Sequence, residues 1–173
     1  QLHRRQRQMC IRDRYKPQSQ NYISTRGLPL SSEQIAVIQW HSIDNVVEDF
    51  YISSVYQKPD GRWVFAVKHT VERLNEEIWI EFDLLHTTQG LRSLKTLSNG
   101  YVFVVDRTTE RLVFHPDPKR IGSKSISYHA GISKQLSQGE TGGLHEYYYQ
   151  DNFKISVFDL SLIHISEPTR PRL

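Results

Sequence analysis

Sulfur is nearly absent from this chain: its 173 residues hold one methionine and one cysteine, side by side at Met9 and Cys10. A single thiol builds no disulfide framework, and it excludes the zinc patterns that need spaced cysteines. Long hydrophobic runs are missing as well. Nothing approaches the roughly 18 apolar residues that a membrane helix requires. Catalytic strings are also lacking, with no Gly-x-Ser-x-Gly elbow and no phosphate loop ending in Lys-Ser/Thr. "GETGG", Gly139 to Gly143, has the glycines of a phosphate cradle. It leads into a strand instead of a helix N-terminus, so it reads as a turn. Six histidines away from the ends, at 41, 69, 86, 115, 129 and 145, show no His-x-x-x-His spacing, and no metal or other cofactor is expected.

The formal charge is +3, from 22 Lys and Arg against 19 Asp and Glu, which would suit a nucleic-acid partner. The arginines, however, crowd into "RRQRQMCIRDR", Arg4 to Arg14. Met9 to Asp13 is what ATG TGT ATA AGA GAC encodes, with AG opening the codon of Arg14. Read on the opposite strand, that string gives CTG TCT CTT ATA CAC AT, which encodes Leu-Ser-Leu-Ile-His-Ile, the residues Leu160 to Ile165. The two ends are consistent with one inverted DNA repeat. Residues 4–14 and 160–170 resemble translations of the mosaic-end adapter of transposase-made sequencing libraries, and such scars are set aside in reasoning about a fold.

Removing Arg4, Arg5, Arg7, Arg12, Arg14, Arg170 and Arg172, with Asp13 and Glu167, leaves 15 basic and 17 acidic residues, a net of −2. The electrostatic argument for nucleic acid goes with them. Residues 15–159 contain no methionine and no cysteine, which suggests an internal piece of a longer gene and permits an oxidising compartment. Deletion of Gln1 to Arg14 is expected to leave stability unchanged.

Along this stretch the first element is a helix from Leu30 to about Ile43, capped by Ser31 or Ser32, with Ile35, Ile38 and Trp40 near one face. "FYISSVYQKPDGRWVFAVKHTV" reads as two strands turning at Lys58 to Gly61. "EEIWIEFDL" alternates, with Ile78, Ile80 and Phe82 on one face and Glu77, Trp79, Glu81 and Asp83 on the other, and predicts a strand buried on one side. Leu84, Leu91, Leu94 and Leu97 predict a connecting helix. "GYVFVVD", "RTTE" and "RLVFH" then give strand, turn and strand, stopped by "PDP". Ser125 to Leu136 is a short helix, and "LHEYYYQDNFKISVFDL" is a hairpin turning at Gln150 to Asn152. The fold class is α+β, with antiparallel sheets in tandem and helices between them.

At "GYVFVVDRTTERLVFHPDPKRIGSKSI" the chain resembles the Cache family of extracytoplasmic sensors. The residues that carry the resemblance are Gly100, Tyr101, Asp106, His115, Pro116, Asp117 and Gly122. Upstream, "VYQKPDGRWVFAVKHTV" and "IWIEFDLLH" are similar to the last strands of the family's membrane-distal module. The match spans roughly residues 38–159. The resemblance implies tandem PAS-like modules: a distal one over 15–84, truncated at its N-terminus, a linker helix over 85–98, and a proximal one over 99–159. It further implies the ligand-sensing portion of a transmembrane receptor of the chemoreceptor, sensor kinase or diguanylate cyclase kind, periplasmic, non-catalytic, and touching the membrane only through flanking helices, with a homodimer as an option.

In family members that bind amino acids, an Arg-x-Trp-Tyr string, a strand Tyr and a later Asp hold the ligand. The resemblance carries this onto Trp40, His41, Tyr56 and Asp83 as ligand-binding residues, while Ile38 stands where the arginine would be. Arg26 could reach in from the preceding loop. The expected ligand is a small polar metabolite: an amino acid, an organic acid or an amine. The structural alternative makes Trp40 and Tyr56 core aromatics and Asp83 a strand-end cap. The functional alternative is an intracellular PAS-like dimerisation or interaction module without a ligand. An enzyme built on His115 and Asp117 ranks third, because His115 more naturally fixes the strand-ending turn.

Overall fold

The structure, a computed structural model, describes residues 10–19, 21–24, 28–42, 49–93, 95–96 and 100–160. It divides into two compact units, Gln1–Ile43 with Val47–Lys124, and Asp44–Val46 with Ser125–Leu173. The boundary at 124/125 falls inside the stretch 99–159 that the resemblance gives to one module. Arg26, Leu94, Leu97 and most of the adapter-like ends lie outside the described residues.

The first unit is built on a seven-stranded antiparallel sheet. Its strands are β1 (Cys10–Lys16), β2 (Asn21–Ile23), β3 (Trp40–Ser42), β4 (Phe50–Ser53), β5 (Tyr56–Gln57), β6 (Trp63–Val71) and β7 (Glu76–Asp83), in the order β2-β1-β7-β6-β4-β3, with β5 paired to β6. The longest ladder joins β6 to β7 from Val64↔Asp83 to Val71↔Glu76. Its neighbour across β7 is β1, from Cys10↔Phe82 to Tyr15↔Glu77. The residue-14 border of the adapter-like stretch therefore lies inside a paired strand. Coding origin and strand pairing are separate matters: a β7 edge with free N–H and C=O groups accepts any extended segment whose alternation fits.

The Lys58 to Gly61 turn forms as the sequence predicts. The Gly61 N–H donates to the Lys58 carbonyl at 2.9 Å, and Gly61 adopts φ +86, which glycine reaches without strain. The helix expected over 30–43 is shorter. Helix α1 (Ser32–Ala36) carries a reciprocal capping box between Ser31 and Gln34, then ends at Val37. β-branched Val37 and Ile38 disfavour further turns, and Trp40, His41 and Ser42 pair with Ser53, Ile52 and Tyr51 instead. Trp40 is thus a strand residue. The connecting helix also shrinks, to α2 (Leu84–Thr87) followed by a 3₁₀ turn over Gln89–Ser93, since Thr87, Thr88 and Gly90 are poor helix formers.

β8 (Lys95–Thr96) pairs with β9 (Gly100–Tyr101), and β10 (Val104–Asp106) with β11 (Arg111–Phe114). These segments belong to the first unit. Val113 and Ile121 pack with Val55, Leu84, Trp63 and Phe65 in one core cluster. Gly122 has φ +81, and the Trp63 ring lies so close that a Cβ would collide with it, so the motif glycine is required twice over. Asp106 accepts the Val55 N–H at 3.0 Å and the Thr109 hydroxyl at 2.7 Å, tying this hairpin to the sheet.

The second unit joins a π-helical turn (Tyr128–Ile132) and α3 (Ser133–Ser137) to the hairpin of β12 (Gly142–Tyr149) and β13 (Asn152–Asp159). The hairpin turns at Gln150 and Asp151, both at positive φ, as a two-residue type I′ turn requires. Its inner face lies on the helical segment. The His145 ring covers Gly131 so closely that no Cβ would fit there, and Ser156 is buried.

Candidate functional site

The inner face of the first sheet is decided by register. Tyr51↔Lys68↔Trp79↔Asp13 and Tyr56↔Val64↔Asp83 are rows running across neighbouring strands. The alternation in β7 is as predicted, but the more deeply buried face is the mixed one. Trp79 is 1% and Glu81 0% exposed, while Ile78, Ile80 and Phe82 are only half-buried. A tryptophan outweighs an isoleucine in apolar area, and Glu81 tolerates burial because both of its carboxylate oxygens are engaged.

Around Trp79 stand Tyr15, Tyr22 and Trp40, with ring centroids at 5.6, 5.4 and 4.8 Å in tilted or edge-on contacts. Tyr22, Leu30, Ile38 and Trp79 form the core cluster, and Trp40, Tyr56 and Ile35 pack against it. Beside these aromatics lies a buried polar network. The Lys58 Nζ donates to Glu81 Oε2 at 2.6 Å and reaches Asp13 Oδ2 at 3.4 Å, with all three side chains at 0% exposure. The Tyr56 hydroxyl donates to Glu81 Oε1 at 2.7 Å. The Tyr22 hydroxyl sits between the two carboxylates, 3.0 Å from Glu81 Oε1 and in a short contact with Asp13.

Two carboxylates share one ammonium, and two phenols complete their hydrogen bonds. Burial, followed by the Glu81 carboxylate, pushes both tyrosine hydroxyls far above their ordinary value, so they stay neutral donors. A network of this kind is stable only while every member is present, because removing one leaves its partners buried and unsatisfied.

A second cation lies closer to solvent. Lys68, 15% exposed, places its Nζ 4.7 Å from the Trp40 ring centre and 5.3 Å from that of Tyr51. It donates to Glu77 Oε1 at 2.9 Å, while Glu77 Oε2 accepts the Trp79 indole N–H at 2.9 Å.

Of the residues named from the sequence, Trp40 and Tyr56 meet at the same core cluster. His41 is exposed, and its Nε2 lies 3.3 Å from the Thr108 hydroxyl. Asp83 caps α2, accepting the Leu85 and His86 N–H groups at 2.9 and 3.2 Å, and stands 3.9 Å from Arg62. Ile38, where the resemblance would place an arginine, is in the core. Lys58, Lys68, Glu77 and Glu81 are not singled out by their local sequence. Lys58 reads as turn chemistry and the two glutamates as a solvated strand face; three charged residues within EEIWIE alongside a tryptophan are the available signal. No family model matches the chain, and no curated protein matches it.

The His115 ring lies between Asp117 and Arg120: its Nδ1 is 3.0 Å from the Asp117 amide nitrogen and 3.3 Å from the Asp117 carbonyl oxygen, its Nε2 is 3.2 Å from the Arg120 guanidinium, and Tyr101 stands edge-on at 5.1 Å. Burial, then Arg120, holds its pKa below the ordinary histidine value. The ring braces the turn after β11. Among the described residues no three His, Cys, Asp or Glu side chains gather as a metal site, and no helix is long and apolar enough to cross a membrane. An open depression of about 290 Å³, lined by Leu85, His86, Gln89 and Pro118, brings no charged cluster together.

Proposed function

We propose that this chain is the extracytoplasmic small-molecule-sensing part of a transmembrane signalling receptor, with tandem Cache-like modules. The observation that carries the reading is the inner face of the first sheet, where Trp40 and Tyr56 pack on one aromatic cluster beside charged groups in paired arrangements. Aromatic walls with a few convergent polar groups are the usual make-up of a metabolite site. The Gly100 to Gly122 string supports the same reading. Ligand binding would act by favouring one of two arrangements of this face, since a ligand shifts an equilibrium only by its differential affinity for the two states.

A thermal-shift screen of the 173-residue chain against amino acids, organic acids and amines tests it. A ligand of the native state raises the melting temperature in a concentration-dependent way. No response across the three classes removes the sensory reading.

One observation favours the alternative of an interaction module. Leu144, Tyr148, Phe153, Ile155 and Val157 occupy one face of the β12–β13 hairpin and are each more than half exposed. Contiguous apolar patches of this sort mark protein contacts. Self-association at working concentrations, together with a blank ligand screen, would support that reading.

A further inference from the structure

Of the lysines on the inner face, Lys58 and Lys68 make opposite use of their charge. Lys58 is sealed from water among Asp13, Glu81, Tyr22 and Tyr56. Lys68 enters from the rim: it projects from β6, and its terminal ammonium fills the space between the Trp40 and Tyr51 rings, against Glu77. Two aromatic faces and a carboxylate around a cation make up the cage by which proteins recognise ammonium and methylammonium groups. The carboxylate is itself fixed by the Trp79 indole, which holds Oε2 and leaves Oε1 aimed at the ammonium. The cage is thus oriented by a group outside it.

We propose that Trp40, Tyr51 and Glu77 form an ammonium-binding site that Lys68 fills in this state, and that a small alkylammonium ion from solution takes its place. Both inner-face lysines are already paired with carboxylates, so neither is available to an organic acid. The quadrupoles of Trp40 and Tyr51 attract a positive group. A lysine on a flexible stem is a displaceable occupant, 15% exposed and held by one ion pair, whereas Lys58 is not. Among amino acids, organic acids and amines, the site selects amines. This inference deepens the sensory reading and rests on it for its biological meaning, and displacement of the Lys68 ammonium would be the local event a ligand produces.

Because Lys68 is tethered, it competes at a high effective concentration and masks the cage in the unsubstituted chain. The decisive experiment is a thermal titration of the full chain and its Lys68→Ala variant with n-butylammonium chloride, using n-butanol and sodium chloride as controls. The expected result is that Lys68→Ala melts lower and regains several degrees with the amine but not with either control. Adding Trp40→Ala should abolish the rescue. The apparent affinity of the unsubstituted chain should be weaker by on the order of tenfold to a hundredfold.

Rescue by sodium chloride or butanol as large as by the amine overturns the proposal, as does equal affinity of the unsubstituted chain and the variant. If Lys68→Ala fails to fold, Lys68→Met keeps the stem and leaves room for an ammonium ion alone. Rescue of that variant by ammonium chloride beyond sodium chloride is then the expected result, and equal rescue by the two salts overturns the proposal. An amine response in the variant with no metabolite response in the unsubstituted chain upholds the cage and removes the sensory reading. An unsubstituted chain that answers carboxylates, with no amine rescue of the Lys68→Ala variant, does the reverse.

Discussion

The inner face of the first sheet and the outer face of the β12–β13 hairpin invert the ordinary rule of burial. The first encloses Asp13, Lys58 and Glu81 at 0% exposure, whereas the second leaves Tyr148 and Val157 at 75% and 79%. Both arise from clean period-2 alternation. The difference teaches that alternation specifies a strand and two faces but not which face is covered. Coverage depends on partners, and the first sheet supplies them in rows across four strands. Among the described residues the hairpin pairs only within itself, and two strands alone are marginal in water.

The largest effect is expected from deleting Gln1 to Arg14. This removes Asp13 and most of β1, opens the β7 edge and strips Lys58 of one carboxylate. Loss of the cooperative melting transition is expected, or a fall of at least about 3–5 kcal/mol, the usual cost of breaking a buried ion pair. The resemblance of these residues to translated adapter DNA would instead predict unchanged stability, so an unaltered melt would show that β7 is satisfied without β1.

Lys58→Met asks whether the buried network depends on its cation. It leaves two carboxylates together without a counter-charge, and a loss of about 3–5 kcal/mol in urea unfolding is expected. A neutral outcome would mean that the inner face is held by its aromatics alone. In alkali, the raised tyrosine values work in one direction. The native state keeps Tyr22 and Tyr56 neutral while the unfolded chain ionises them near pH 10, so their contribution is intact below that pH and is lost as pH rises above it. Absorbance at 295 nm should show these two phenols ionising only with unfolding.

His115 should give a smaller effect of opposite sign. Its lowered pKa contributes stability above the ordinary histidine value, lost as pH falls through the native one, when a proton would face Arg120. His115→Gln should flatten the acid limb of a melting-temperature profile. The smallest effect belongs to the hairpin: Val157→Thr should shift stability by less than about 0.5 kcal/mol. It should nonetheless reduce dye binding to exposed apolar surface if that face is as open as its exposure indicates.

Much of the chain was legible in the residues themselves. The strands β6, β7, β12 and β13, the Lys58 to Gly61 turn, the Ser31 cap and the antiparallel α+β class follow from alternation and turn chemistry, which act over a few residues. Trp40 moved from helix to strand because Ser53 and its neighbours were waiting to pair with it. Of the candidate site, Trp40 and Tyr56 pack on one core cluster, while Asp83 does the capping that its place at a strand end allows and His41 turns outward.

What only the tertiary structure decided is the meeting of distant charges. Lys58 lies 45 residues from Asp13 and 23 from Glu81 along the chain, and no local pattern links them. Burial of a charge becomes tolerable only when its partners arrive from other strands, so the identity of the inner face, the sealed lysine and the displaceable one was settled by register across the sheet, not by any segment alone.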